Sequence, residues 1–384
     1  MRIKNIKIYQ MDLALKEEFA ISFKTYTHAH NFLIVLETDE GVTGYGEGCP
    51  DKPITGDSRE DAINFLIMTK KTLLGRPLEI EEVHEIIEEQ SRRSGLKSQT
   101  ARAAIDMAVY DALGKIHSLP VYLMLGGVKN FFKVFNSLTI GIKTIDETIK
   151  TARRYYEKYK RFGLRRIKLK LSGDPEEDYK RVIQVAENFP GELTLDANQA
   201  YQDPETATKL FNQLYENLGK RIILVEQPTP KEDLNALKKV SENTLIPVFA
   251  DESAVTLEDI NRIISLSSAE GINIKLQKIG GILPALKAAE RAFSQGFKIM
   301  VGCNEETHIA ISAAIHLVAA MDGVVNTDLD SDIILFDFNI TKENPLDTFI
   351  NGARIPRNKP GLGVELANWF KNILEERIKI ERVA

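Results

Sequence analysis

Apolar and polar positions change rhythm along this chain, and the change divides it. Ile3 to Tyr9 alternates apolar with polar residues, the period of a half-buried strand. Phe32 to Leu36 followed by Gly41 to Gly46 reads as a hairpin turning at Asp39-Glu40-Gly41. Three helices are expected next: one opening at the Ser58-x-x-Asp61 cap signal, one over roughly Glu79 to Gln90, one from about Gln99 to His117. The third carries Ala103, Ala104, Met107, Ala108 and Ala112, a small-residue face suited to close packing.

After Leu125-Gly126-Gly127 short apolar runs alternate with longer amphipathic segments. The runs are Val134 to Ile140, Arg166 to Leu171, Leu193 to Ala197, Ile222 to Glu226, Pro247 to Ala250, Gly271 to Leu276, Lys298 to Val301 and Gly323 to Thr327. Buried parallel strands joined by helices give this pattern, and eight of them point to a (β/α) barrel rather than an open sheet. Loop signals return at Pro356 and Pro360-Gly361-Leu362-Gly363, before a helix containing Trp369. The expected organisation is an α+β capping domain over 1–125, a (β/α) barrel over 126–350, and a segment over 351–384 returning to the cap.

Composition narrows the function classes. The 384 residues are 43% hydrophobic and 27% charged, with a net charge of -5. No Lys/Arg stripe stands unopposed by acids, which argues against a nucleic-acid partner. Cys49 and Cys303 are too few and too far apart for a disulfide scaffold or a thiolate metal site. Met1 to Gln10 lacks the apolar core of a signal peptide, and Ile309 to Met321 is too short to span a bilayer. A cytoplasmic, homo-oligomeric protein acting on a small molecule, away from membranes, is the expectation.

The chemistry lies where the expected strands finish: Lys168 and Lys170, Asp196, Glu226, Asp251, Lys275, Glu306, then Asp328 with Asp330. In a β/α barrel all C-terminal strand ends open onto one face, so residues far apart in sequence can share a pocket. Asp196, Glu226 and Asp251 offer only oxygen, which favours Mg²⁺, or Mn²⁺, over zinc. Lys168 and Lys170 share one strand face, and two cations so close disfavour each other's charge and bring a lysine toward useful base strength. With Lys275 opposite, one lysine can remove an α-proton while another reprotonates the other face, and the cation holds the charge.

Ile167-Lys168-Leu169-Lys170, Asp196-Ala197-Asn198-Gln199, Glu226-Gln227-Pro228, Ala250-Asp251-Glu252-Ser253 and Asn273-Ile274-Lys275-Leu276 resemble the muconate-lactonizing-enzyme branch of the enolase superfamily. The resemblance extends to Ile54-Thr55-Gly56-Asp57-Ser58 and Gly280-Gly281, and so covers nearly the whole chain. It implies a modified barrel under an α+β cap. It also implies Lys170 and Lys275 as the catalytic pair, Lys168 as the residue tuning Lys170, and Asp196, Glu226 and Asp251 as Mg²⁺ ligands. Asp328-Leu329-Asp330-Ser331 resembles the Asp-x-Asp of dipeptide epimerases, where the pair binds a free α-ammonium. Asn198 and Glu306 are implied as substrate-side residues, Glu306 as the family's strand-seven acid in a positional role, with neighbouring Glu305 the alternative for it. Lys24 stands where Ala-Glu epimerases carry Arg, a change that keeps the charge but loses the bidentate fork.

The implied activity is epimerisation at the α-carbon of a dipeptide's C-terminal residue through a metal-stabilised enediolate. Sibling activities on the same scaffold are o-succinylbenzoate synthase, N-acylamino acid racemase and lactonizing cycloisomerase, whose substrates leave the Asp pair without a task. A non-catalytic binding protein is the third reading, and retention of both lysines and three acids speaks against it. His28-Ala29-His30 falls in the cap, before any barrel strand, and His308 and His316 read as packing or surface residues. Gly44-Tyr45-Gly46-Glu47-Gly48 reads as hairpin glycines, since it does not match a dinucleotide fingerprint.

Overall fold

The structure is a computed structural model that describes residues 1–130 and 133–376. Positions 131–132 of the expected barrel domain and 377–384 of the expected C-terminal segment lie outside the described residues. The chain begins with a three-stranded antiparallel sheet, β1 (Ile3–Ile21), β2 (Lys24–Thr38) and β3 (Thr43–Gly48). β1 continues well past Tyr9, because the β1–β2 ladder runs on to the tight turn between Ile21 and Lys24. Three helices follow, Arg59–Leu73, Ile80–Ser94 and Gln99–Ile116. The first is opened by a capping box between Ser58 and Asp61.

The third helix is almost entirely buried and lies against β3. A Cβ built on Gly46 would stand 1.8 Å from the Ala104 carbonyl oxygen, and one on Gly44 2.0 Å from that of Ala108. The glycines of the hairpin and the alanines of the helix are thus two halves of one close approach. Ile6, Ile8, Phe32, Ile34, Leu36, Phe65 and Leu66 form the cap's own core beside it.

The eight barrel strands are β4 (Ser137–Ile140), β5 (Arg166–Lys170), β6 (Glu192–Asp196), β7 (Ile222–Glu226), β8 (Val248–Ala250), β9 (Gly271–Ile274), β10 (Lys298–Val301) and β11 (Val324–Thr327). They pair in parallel in sequence order, and a parallel bridge between Asn136 and Thr327 joins the two ends of the sheet. Each strand through β10 is followed by a helix of ten or more residues, whereas β11 is followed by the single turn Ser331–Ile334. That missing helix is the modification of the barrel. Residues of one parity, such as Ile167, Leu169, Leu193 and Leu195, join the large core between strands and helices. Residues of the other parity face the barrel interior.

Beyond β11 a small hairpin, β12 (Phe349–Ile350) and β13 (Ala353–Arg354), precedes a stretch that returns to the cap. There Gly361 bridges Pro120, and the Leu362 N–H donates to Asp111 Oδ1 at 2.8 Å. Among the described residues no helix is long and apolar enough to cross a membrane.

Candidate active site

Strand register assembles the centre. Lys170 pairs with Asp196 and Asp196 with Glu226, each the last residue of its strand, so three ionisable side chains stand in one row. Asp251 and Lys275 come directly after β8 and β9. Asn198 and Gln227, in the loops that follow β6 and β7, hold positive φ angles of 39° and 35°, strained for residues with a side chain. The Gln227 carboxamide oxygen accepts the N–H groups of Asp251 and Ser253 at 2.9 and 3.1 Å, which fixes the start of the β8 loop.

Acids and lysines interleave. Lys168 Nζ lies 2.8 Å from Asp196 Oδ2, 2.7 Å from Glu226 Oε2 and 2.5 Å from Asp328 Oδ2. Lys170 Nζ reaches Asp196 Oδ2 at 2.7 Å and Asn198 Oδ1 at 2.9 Å. Lys275 Nζ lies 2.8 Å from Asp251 Oδ2. Burial works against the charge on Lys168, but Asp196, Asp328 and Glu226 outweigh it and hold the ammonium's pKa well above the ordinary value. The mutual depression expected of two neighbouring lysines is therefore not what governs Lys168. It is an anchor for three carboxylates. Lys275 is likewise pushed up, burial being outweighed by Asp251 and Glu226.

The acids respond unequally to the same burial. Burial alone would raise Asp196, yet Lys168 and Lys170 bring it down to about 2. Asp251 is held well below the usual carboxylate range because Lys275 and Lys278 outweigh its burial. Glu226 is raised, by burial first and then by Asp196. Among the described residues no group of three or more acidic, histidine or cysteine side chains converges as a closed ligand set. The oxygens of Asp196, Glu226 and Asp251 are turned to lysine ammoniums instead. The donors nevertheless fit a hard divalent cation. They are oxygens only, fully buried on consecutive strand ends and close enough to raise one another.

Over this centre lies a cavity of about 40 Å³, lined by Lys168, Lys170, Asn198, Lys275, Glu305, Asp328 and Asp330 and roofed by Phe19, Ile21, Tyr26 and Ile54 of the cap. A larger groove, about 1160 Å³, runs elsewhere, between the helix Ile80–Ser94 and barrel helices, and touches none of these groups.

Several expected positions shift. β11 ends at Thr327, so Asp328 and Asp330 sit in the loop beyond it rather than on the strand. Asp328 already pairs with Lys168 through Oδ2, leaving buried Oδ1 without a partner. Asp330 Oδ2 accepts the Thr139 N–H at 2.5 Å, and burial followed by Asp328 raises its carboxyl to about 7. Glu306 does not line the cavity; it accepts the Asn304 N–H at 3.0 Å, and burial raises it to about 8. Its neighbour Glu305 faces the cavity, raised to about 7 by burial and by Asp51. Lys24 is also off the cavity wall, 2.8 Å from Asp51 Oδ1 and stacked over the Tyr26 ring.

Sequence reasoning missed Lys278, Asn273 and Glu252. Lys278 is wholly buried, donates to the Asp251 carboxylate, and reaches the Asp251 and Asn273 carbonyls at 2.6 and 3.0 Å. Asn273 Nδ2 donates to Glu226 Oε1 at 2.6 Å. Glu252 lies beside Asn198 and is raised to about 7 by burial, then Asp251 and Asp196. Asn273 carried a signal, since it shares the parity of Lys275 on β9. Lys278 carried none, because a one-turn helix, Leu276–Ile279, folds it back.

A closed, capped β/α barrel with an interleaved acid-and-lysine centre at its strand ends defines the class. Residues 147–369 match the family model described as enolase C-terminal domain-like, and residues 4–126 match that of the mandelate racemase/muconate lactonizing enzyme N-terminal domain. The chain belongs to this enolase-superfamily family. It is 37% identical to a hydrophobic dipeptide epimerase of Enterococcus faecalis, over 86% of this chain and 91% of that one. It is 33% identical to an L-Ala-D/L-Glu epimerase of Clostridium acetobutylicum, over 96% and 100%. Among solved structures it resembles the Enterococcus faecalis dipeptide epimerase complexed with Mg and L-Leu-L-Tyr, with a TM-score of 0.87, 32% identity and coverage of 95% and 100%. It also resembles the N-succinyl Arg/Lys racemase of Bacillus cereus, with a TM-score of 0.88, 29% identity and coverage of 99% and 98%.

Proposed function

We propose that this chain is a Mg²⁺-dependent dipeptide epimerase, an isomerase that inverts the α-carbon of the C-terminal residue. The observation that carries the reading is the buried, unpartnered Asp328 Oδ1 beside Asp330, an acidic pair on the same cavity as Lys170 and Lys275. A free ammonium would neutralise that pair, and an acylated nitrogen would not.

Asp196, Glu226 and Asp251 would hold the cation, which when bound supplies Lewis-acid stabilisation of charge on the substrate carboxylate. Lys170 and Lys275 stand at the ends of different strands around the cavity and exchange the α-proton from opposite sides. Lys168 and Asn273 hold the Glu226 carboxylate from two sides, and Lys278 holds Asp251. Asn198 accepts from Lys170 and so directs its ammonium. Mn²⁺ shares the oxygen preference and is proposed as a substitute metal. A cytoplasmic homo-oligomer remains the proposed setting, with the three-part domain division expected from the sequence.

The substrate side chains are proposed to be apolar. Phe19, Ile21, Ile54, Ile334 and Leu335 furnish the cavity wall, and Lys24, half-exposed, is engaged by Asp51. The name of the Enterococcus faecalis relative points the same way. Incubating pools of L,L-dipeptides with Mg²⁺ in deuterated water tests both points. One-unit mass gains in free apolar dipeptides, lost on adding EDTA, are expected. Labelling confined to N-succinyl amino acids would favour the second reading, an N-acylamino acid racemase like the Bacillus cereus neighbour.

A further inference from the structure

The loop that carries Asp328 and Asp330 is held from outside the barrel. Arg354, on β13, has a side chain only 1% exposed and spends its guanidinium on this loop. Nη1 donates to the Leu329 carbonyl at 2.6 Å, the peptide between the two acids. Nη1 and Nη2 also clasp the Asp332 carboxylate at 2.8 and 2.7 Å, and Nε donates to Thr348 Oγ at 2.8 Å. From the opposite side the Leu329 N–H donates to Asn136 Oδ1 at 2.8 Å, the residue whose bridge to Thr327 closes the barrel. The Leu329 backbone is therefore gripped at both its N–H and its carbonyl.

The hairpin that presents Arg354 is itself fixed to the barrel. The Gly352 N–H donates to the Phe162 carbonyl, and the Gly352 carbonyl accepts the Asn136 N–H, each at 2.8 Å. Asp332 extends the grip sideways, since its Oδ2 lies 2.7 Å from His308 Nδ1. His308 begins the helix His308–Ala320, directly after the loop that brings Cys303 and Glu305 to the cavity. One guanidinium thus ties the β10 loop, the β11 loop and the closing hairpin together.

We infer that Arg354 is a positioning residue for the substrate's ammonium group, fixing the backbone between Asp328 and Asp330 so that both carboxylates face the cavity. The inference rests on the epimerase reading. A mobile loop would leave the two carboxyl groups free to separate, whereas a fixed one offers them as a preformed seat whose ordering cost is met before substrate arrives. Lysine at this position keeps the charge but loses the fork that spans Leu329 and Asp332.

The test is steady-state deuterium exchange on an apolar L,L-dipeptide by the full-length Mg²⁺-loaded protein, comparing wild type, Arg354→Lys and Thr348→Val. Circular dichroism serves as the folding control. For Arg354→Lys the expected result is a KM raised about tenfold or more with kcat changed little, a loss confined to binding. Thr348→Val, which removes only the Nε acceptor, should raise KM by a smaller factor. It decides the matter by itself should Arg354→Lys fail to fold. An unchanged KM in a folded variant, or kcat falling as far as KM rises, would overturn the inference while leaving the epimerase reading intact. Absence of exchange by wild type on every dipeptide would refute the epimerase reading, and this inference with it.

Discussion

At the scale of single residues, the site is set by which partner each buried charge finds. Among the described residues Lys275 meets only Asp251 as an ion-pair partner within 4 Å, whereas Lys168 meets three carboxylates. Lys275 is thus the more readily released for proton transfer. Lys275→Ala should lower α-proton exchange by about 10³-fold, within the usual range for a lost acid–base group, while calorimetric Mg²⁺ binding persists. Normal turnover by that variant would sink the two-lysine scheme.

His316 makes a different use of burial. Its Nδ1 accepts the Tyr122 N–H and its Nε2–H donates to the Leu362 carbonyl, each at 3.2 Å, so the neutral ring joins two distant segments. Burial lowers its pKa from 6.5 to about 4. A depressed folded-state pKa means that the unfolded chain binds the proton first. The His316 contribution is therefore complete above pH 6.5 and lost as pH falls toward 4, up to about 3 kcal/mol. Urea denaturation at pH 7 and pH 5 should show wild type losing about 2 kcal/mol more than His316→Gln between the two.

At the scale of elements, strand parity carries most of the design. On β5, Ile167 and Leu169 belong to the strand–helix core while Lys168 and Lys170 turn inward. The same alternation brings Thr194 with Asp196, Leu224 with Glu226, Phe249 with Asp251, and Asn273 with Lys275 onto the inner side. Leu224, Phe249 and Met300 make a small apolar plug of their own, which leaves the polar layer at the strand ends. This parity is legible in the amino-acid sequence, because a period of two follows as soon as the strands are assigned. The hairpin glycines were read correctly as hairpin residues, but their necessity comes from contact with Ala104 and Ala108. Gly46→Ala should cost about 3 kcal/mol or more, as a Cβ driven into backbone cannot be relieved by a side-chain rotation. A melting temperature unchanged from wild type would show that the cap hairpin and helix can move apart.

At the scale of the whole molecule, cap and barrel are joined by buried polar contacts as well as by packing. Glu47 on β3 accepts the Thr307 and Ala310 N–H groups at 3.0 and 3.2 Å and the Thr307 hydroxyl at 2.7 Å, capping a barrel helix from the cap domain. Asn31 donates to both Glu47 and the Glu305 carbonyl. Ser22 reaches the Asn198 carbonyl at 2.7 Å, so the cap hairpin touches the site loops directly. Because the proposed metal seat joins strands β6, β7 and β8, removing the cation should loosen the barrel as well as stop exchange. EDTA is expected to abolish deuterium incorporation and lower the thermal midpoint, with Mg²⁺ at a hundredfold excess over Kd restoring about 2.7 kcal/mol. A midpoint indifferent to EDTA and Mg²⁺ would mean that these acids do not hold the cation.

The sequence by itself determined what depends on period and residue type: the helix starts, the eight strand runs, the inward parity, and oxygen-only donors beside lysines. Those properties are local, or follow from the one rule that all strand ends of a barrel meet on a single face. Tertiary structure alone decided whom each charge pairs with. It placed Glu305 rather than Glu306 on the cavity and tied Lys24 to Asp51. It also folded Lys278 back onto Asp251 and brought Arg354 around to the loop between Asp328 and Asp330. The reason is physical: a pKa and an ion pair depend on three-dimensional distance and on exclusion of water, neither of which spacing along the chain contains.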